Sequence, residues 1–155
     1  MFINQLSFNQ NIGNWDVSKV TTFQNMFIVN NPTPAFTASL FTFNNGGSNS
    51  INNWNLTSST RIDSMFQDAG GFNQPVGNWN VSNISNFANF MTNKTFNDYS
   101  VANYDALLIG WASRPVVSAR SINFGTIKYS VAASASRAIL TSAPNSWTIV
   151  DGGQV

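Results

Sequence analysis

The sequence predicts an α/β fold in which a short solenoid of about three repeats is followed by a C-terminal α+β cap. A Met-Phe pair occurs three times, with separations of 25 and 39 residues, and three tryptophans recur with the same two separations in the opposite order. After about residue 93 this repetition stops, and helix and strand patterns replace it. The two series of landmarks are Met1, Met26 and Met65, and Trp15, Trp54 and Trp79.

The repeats are predicted to occupy residues 1–92, with a period near 25 residues. Such a period is typical of leucine-rich repeats, in which each unit is a short strand plus a turn and stacking buries a shared core. Segments 17–21 and 81–85 alternate apolar and polar residues, as half-buried strands do. We therefore expect the in-phase apolar residues, including Trp15, Trp54 and Trp79, to lie in the core.

An asparagine precedes each of these tryptophans. Because a side-chain amide can bond the backbone of a neighbouring coil, Asn14, Asn53 and Asn78 are predicted to form a structural ladder. Asparagine is abundant throughout, with 24 in the chain.

The middle repeat is about 14 residues longer than the others, and this insertion is predicted at about residues 30–50. Pro32 and Pro34 interrupt it, and the run 44–50 is rich in Asn, Gly and Ser. Such a composition is typical of a protruding loop.

Residues 93–155 are predicted to form a helix, strand, helix, strand cap. Ser100 and Ser130 are suitable N-caps for two helices, the second ending near Leu140. Strands are expected at residues 121–124 and 147–150. A solenoid needs a cap because its last coil would otherwise expose both core and strand edge. Met1 already lies within the repeat frame, so we expect preceding chain or another subunit to cover the first coil.

The motifs Met-Phe, Phe-Asn-Gln and Ile-Gly-Asn-Trp-Asp-Val-Ser-Lys-Val-Thr resemble the BspA-type leucine-rich repeat over residues 1–92. The resemblance implies a protein of a bacterial surface or a phage virion, such as a tail fibre, that acts in adhesion and surface recognition. The segment from Tyr104 to Trp111 and the ending Trp-Thr-Ile-Val-Asp-Gly-Gly resemble segments that follow such repeats in phage and marine bacterial surface proteins.

Composition argues against an enzyme. The chain has six Asp, no Glu, no His and no Cys, so a His-based triad, a thiol nucleophile and a zinc site of imidazole and thiolate are excluded. Carboxylate pairs such as Asp63 with Asp68, or Asp98 with Asp105, remain for acid and base chemistry or for calcium, but nothing in their spacing favours a site over capping roles. We predict no cofactor and no metal, and a glycan-active enzyme is a remote alternative.

Two groups of residues are the predicted contact surfaces. One is the polar, strand-bearing face of the solenoid, and the other is the inserted loop, because functional insertions tend to project from one face. The first consists of Lys19, Thr21, Thr57, Arg61, Asn83 and Ser85, and the second of Asn44, Asn45, Ser48 and Asn49.

The expected partners are other virion or surface proteins, or a host-surface protein or glycan, within a larger assembly. With a net charge of +1 and 8% charged residues there is no basic patch to bind nucleic acid. No segment has the roughly 20 apolar residues that a membrane span needs. The structural alternative is a capsid-decoration or tail protein that docks on neighbouring subunits.

Overall fold

The computed structural model describes residues 1–30 and 41–155. Its regular elements are α1 (Val101–Ala112), β1 (Ser121–Asn123), α2 (Val131–Thr141) and β2 (Thr148–Val150), with 3-10 helices at Asn45–Gly47 and Asn49–Asn53. β1 and β2 pair in parallel, with Ile122 opposite Ile149. The predicted helix, strand, helix, strand order is confirmed.

Both helices begin where the sequence predicts. The Ser100 hydroxyl accepts a hydrogen bond from the Asn103 amide, and the Ser130 hydroxyl accepts one from the Ala132 amide. Each bond satisfies an amide of the first turn that lacks a partner within the helix. The apolar face of α1, at Tyr104, Leu107, Leu108 and Trp111, is buried.

Before the helices, three segments lie side by side in parallel, and we call them rungs 1, 2 and 3 (residues 21–29, 60–68 and 85–92). The Phe23 amide donates to the Arg61 carbonyl at 2.9 Å, and the Ile62 amide donates to the Asn86 carbonyl at 3.1 Å. β1 lies beside rung 3, since the Met91 amide donates to the Asn123 carbonyl. Residues 2–4 bond the other side of rung 1, where the Phe2 amide donates to the Met26 carbonyl.

Stacked aromatic rings fill the interior behind the rungs. Phe2, Phe27 and Phe66 follow one another at centroid distances of 5.6 and 5.4 Å. A second column stacks at distances of 5.6 to 6.4 Å and contains Phe8, Phe43, Phe72 and Tyr99. One hydrophobic cluster extends from Ile12 to Trp147, so the predicted boundary at residue 93 does not separate two cores.

The strands predicted at residues 17–21 and 81–85 are wrong. Both segments are turns, in which the Val20 amide donates to Val17 and the Ile84 amide donates to Val81. Asp16 and Asn80 start these turns by accepting from the amide two residues later. A turn also places two apolar side chains, three residues apart in sequence, on the same side. This explains why the apolar and polar residues alternate as they would in a strand.

The second aromatic column corrects the predicted insertion. Phe43-Asn44 of the middle repeat takes the place of Phe8-Asn9 and Phe72-Asn73, so the segment after Phe43 is not a protruding loop. Ten of the fourteen extra residues therefore lie between Met26 and Phe43, and four lie between Phe43 and Trp54. Pro32 and Pro34 lie outside the described residues.

The prediction of which asparagines form the ladder is also wrong. Asn14, Asn53 and Asn78 are exposed, and their side chains make no hydrogen bond to any described residue. The asparagine that follows each stacked phenylalanine forms the ladder instead. Asn9 Oδ1 accepts from the Asn44 amide at 2.7 Å, Asn44 Oδ1 from the Asn73 amide at 2.8 Å, and Asn73 Oδ1 from the Ser100 amide at 2.9 Å.

Candidate functional site

One exposed face of the stack carries polar side chains in columns. In each rung an inward apolar residue, such as Phe23 or Ile62, is preceded by residues that are not fully buried. Because the rungs are parallel and in register, side chains at the same position stand above one another. Isolated bridges pair Thr22 with Arg61 and Arg61 with Asn86. A second column contains Thr21, Thr60 and Ser85.

The turns before the rungs extend this surface. Lys19, Thr57 and Asn83 are exposed, and Asn83 Nδ2 donates to the Thr57 carbonyl at 2.7 Å. Thr57 is held by its own hydrogen bond to Asn55. We call the whole surface the polar face, and its members are Lys19, Thr21, Thr22, Thr57, Thr60, Arg61, Asn83, Ser85 and Asn86. Of the six residues predicted for this face, Thr21 and Ser85 lie in one column and Arg61 in the next, Asn83 contacts Thr57, and Lys19 is exposed in the turn before rung 1. Thr22, Thr60 and Asn86 are three further members, and their only sequence signal is their phase.

A fixed ion pair stands at the middle of the polar face. Arg61 Nε and Nη2 each lie 2.9 Å from a carboxylate oxygen of Asp63, in a two-pronged contact. The Asp63 side chain is 9% exposed and that of Arg61 is 43% exposed. The hydrogen bonds that Arg61 donates to Asp63, together with the negative charge of Asp63, raise the pKa of Arg61. The guanidinium is therefore held in one orientation, and the pair adds little net charge.

The second predicted surface is not brought together as a binding site. Asn45 is fully buried, where its Oδ1 accepts from the Ile12 amide at 2.8 Å and its Nδ2 donates to Ser48. Asn44 belongs to the asparagine ladder. Ser48 caps the following 3-10 helix by accepting from the Ser50 amide, and Asn49 alone is exposed. The side chains of Asn44, Asn45 and Ser48 therefore serve to satisfy backbone groups.

Tryptophan side chains link successive coils through their indole N–H groups. The Nε1 atoms donate to backbone carbonyls of the preceding coil at 2.8 to 3.2 Å. For the first three bonds the acceptor lies three residues before the previous tryptophan. The pairs are Trp54 with Ile12, Trp79 with Ile51, Trp111 with Val76, and Trp147 with Val117. The sequence did not indicate that Trp111 and Trp147 belong to this series, because their surroundings lack the repeat motif.

Trp15 differs from the others. Its side chain is 45% exposed, whereas Trp54 and Trp79 are 3% and 0% exposed, so the prediction that all three lie in the core is wrong for Trp15. It borders a largely apolar hollow of about 190 Å³ that is also lined by Met1, Val17, Val20 and Met26. The physical reason is its place at the N-terminal end of the stacked rungs, where none of the described residues forms a coil on its outer side.

Each of four carboxylates has its own hydrogen-bond partners. Asp63 binds Arg61, Asp68 accepts from Asn93 Nδ2 at 2.9 Å, and Asp98 accepts from the Thr95 amide at 2.7 Å. Asp151 accepts from the Tyr104 hydroxyl and from Arg137. Within residues 1–30 and 41–155, no three His, Cys, Asp or Glu side chains are grouped so that they could hold a metal ion.

Lys94 is a buried cation that the sequence did not single out. Its side chain is 1% exposed, and Nζ donates to the carbonyl oxygens of Ala69 and Phe72 at 2.6 and 2.9 Å. Burial lowers the pKa of Lys94 to about 7. A neutral amine has two N–H donors, which match the two carbonyls.

None of the helices in the described part of the chain is long and apolar enough to cross a membrane.

Comparison with known proteins identifies a family. The model of the family described as "Mycoplasma protein of unknown function, DUF285" matches residues 1–104 and residues 36–124. No curated protein and no solved structure matches the chain. Since the family model covers well over half of the sequence, the chain belongs to the DUF285 family, a repeat family related to BspA-like surface proteins.

Proposed function

We propose that this protein is a non-catalytic recognition or adhesion module of a bacterial surface, built as a short leucine-rich-repeat-type solenoid, and that its polar face binds another protein. The observation that carries the proposal is the columns of in-phase polar side chains on one exposed face. Thr21, Thr60 and Ser85 form one column, and Arg61 stands in the next.

Rigidity supports this role. The backbone of each rung is bonded to its neighbours, and the rings of Phe27 and Phe66 stack directly behind. Side chains on such a scaffold lose little conformational freedom when they bind, so more of the interaction energy remains as affinity.

The chemistry of the face favours a protein partner over a glycan. Sugar sites commonly use an exposed aromatic ring as a stacking platform, and none of the nine residues of the polar face is aromatic. Hydroxyl and amide groups, with Arg61 oriented by Asp63, match the hydrogen-bonding groups of a protein surface.

The family supports the proposed setting at a bacterial surface. Its description names Mycoplasma, and its relation to BspA-like surface proteins favours a bacterial cell surface over a phage virion.

The test uses two matched pairs of substitutions. Thr60→Lys with Ser85→Lys places two long cations on the polar face, while Asn53→Lys with Asn78→Lys places them on another exposed edge. Binding of each purified protein to a panel of immobilised extracellular-matrix proteins and to a glycan array is measured by biolayer interferometry and fluorescence. We expect binding to a matrix protein that the first pair weakens at least about tenfold and the second leaves unchanged. Equal effects, binding only to glycans, or no binding would contradict the proposal.

A structural role, in which the chain docks on a neighbouring subunit, is the second candidate. The exposure of Trp15 at the N-terminal end of the stack favours it. The Thr60 and Ser85 variants lie away from that end and would leave such docking intact.

A further inference from the structure

The N-terminal end of the stack repeats an internal coil contact with one side missing. Trp15 lies 6.0 Å from Phe2, and in the coil that ends at rung 3 the equivalent pair, Trp79 and Phe66, lies 6.3 Å apart. Each of these tryptophans is 13 residues after its phenylalanine. Trp15 therefore already occupies the position in which later tryptophans bind a preceding coil.

Among the described residues, some backbone carbonyls of rung 1 lack the donors that the equivalent carbonyls of rung 2 have. In rung 2 the carbonyls of Arg61 and Asp63 accept from the rung before, at Phe23 and Asn25. The equivalent carbonyls of rung 1 belong to Thr22 and Gln24, and no described residue donates to them. Farther along the same edge, Phe2 and Asn4 donate to Met26 and Ile28, as Phe27 and Val29 donate to Met65 and Gln67. The edge is thus half paired.

The edge also specifies what would complete it. Trp54, Trp79 and Trp111 each donate to the carbonyl of an apolar residue three positions before the preceding tryptophan. An occupant for Trp15 must therefore offer such a carbonyl, together with two backbone amides spaced to reach Thr22 and Gln24 and apolar side chains for the hollow. A further coil with an Ile-Gly-Asn-Trp type motif has all of these groups.

We infer that this end, formed by Trp15, Val20, Thr22, Gln24 and Met26, is a docking surface for a further coil of the same repeat class. The inference rests on the docking candidate for function, and the docking end shares only Thr22 with the polar face. Docking would bury Trp15, extend the parallel ladder and lengthen the polar face by one rung, since its columns run along the same stack.

The test adds such a coil to the full chain. A copy of residues 1–25 is fused ahead of Met1, which preserves the frame because Met26 follows residue 25 at the position equivalent to Met1. The copy carries Trp15→Phe, so both proteins contain five tryptophans. Each is labelled with 5-fluorotryptophan, and the fluorine resonance of the original Trp15 is assigned from its own Trp15→Phe variant.

We expect the original Trp15 resonance to lose its solvent isotope shift in the fused protein while the other four keep theirs, and the melting temperature to rise by at least about 2 °C. A control fusion carries Val17→Asp, Phe23→Asp and the same Trp15→Phe in the added copy, which places two carboxylates among its core residues. Trp15 should then stay exposed.

Three results would overturn the inference. The first is a Trp15 resonance unchanged by the intact coil. The second is burial of Trp15 in the unfused chain as its concentration rises, which would show that a second copy occupies the end. The third is a saccharide that shifts the Trp15 resonance. These readouts do not depend on binding by the polar face, so the two tests can fail separately.

Discussion

Nζ of Lys94 lies 2.6 Å from the carbonyl oxygen of Ala69, in a side chain that is 1% exposed. The second acceptor, the Phe72 carbonyl, belongs to the same turn as Ala69. One amine therefore links the segment after rung 3 to the segment after rung 2 by two hydrogen bonds. Asp98 is the charged group whose field acts on it. A lysine that is neutral at moderately alkaline pH in the folded state should give the protein a distinctive pH dependence.

We predict that the free energy of unfolding rises between about pH 7 and pH 9.5. Burial lowers the pKa of Lys94 to about 7, whereas the unfolded chain keeps the ordinary value of 10.5. In this range the unfolded state binds the proton and the folded state does not, so raising the pH favours folding by up to about 1.4 kcal/mol per pH unit. Urea unfolding at a series of pH values measures the slope.

The matched control for this prediction is Lys94→Met, which keeps the length of the side chain and removes the titrating group. Its unfolding free energy should be nearly flat over the same range, although lower overall because two carbonyls lose their donor. The range stops below pH 10 because burial raises the pKa values of Tyr99 and Tyr104, which reverses the sign at higher pH. A wild-type slope equal to that of the variant would show that Lys94 titrates normally.

Tryptophan substitutions should separate the interior from the open end. Trp79→Phe removes a fully buried indole and its hydrogen bond to Ile51, and should lower the free energy of unfolding by roughly 2–4 kcal/mol. Trp15→Phe should cost less than about 1 kcal/mol, because the ring is 45% exposed. Urea unfolding of both variants checks this. Similar losses would mean that Trp15 is as well packed as Trp79.

The asparagine ladder predicts a clear contrast between two chemically identical changes. Asn44→Ala removes the acceptor of the Asn73 amide and of Gln74 Nε2, and should cost about 1–3 kcal/mol. Asn53→Ala should change stability by less than about 0.5 kcal/mol, since that side chain is exposed and makes no hydrogen bond to the described residues. Thermal unfolding followed by circular dichroism gives both values. The reverse order would restore the ladder predicted from sequence.

Gly110 has a packing role that its position inside α1 conceals. It faces Gly77, and a Cβ built on either glycine would lie well under 3.0 Å from a backbone oxygen of the other segment. Gly110→Ala should therefore destabilise the protein by about 1–3 kcal/mol, although alanine is the better helix former. Ile109→Ala, on the exposed side of the same helix, is the control and should cost less than about 1 kcal/mol. A stabilised Gly110→Ala variant would show that the two backbones can separate.

Sequence reasoning located the helices well and the rungs less well. Ser100, Ser130 and the apolar face of α1 are local signals, because a cap and a 3.6-residue period act within one segment. The predicted strands at 17–21 and 81–85 were turns, since two apolar residues three apart satisfy either interpretation. For the polar face, the sequence located Lys19, Thr21 and Arg61, whereas Thr22 and Asn86, which share the phase of Arg61, were recognised only from the bridges between rungs.

The sequence by itself determined the repeat, its period, the helix starts and the poverty of catalytic groups, because these follow from residue identity and spacing. Tertiary structure decided which of the 24 asparagines form the ladder, why Asn45 and Lys94 are buried, and that Trp15 is exposed while Trp79 is not. The physical reason is that a side chain's role in a stack depends on what the neighbouring coil offers to it. Trp15 and Trp79 share the same local motif, and they differ because, among the described residues, a coil packs before Trp79 and none packs before Trp15.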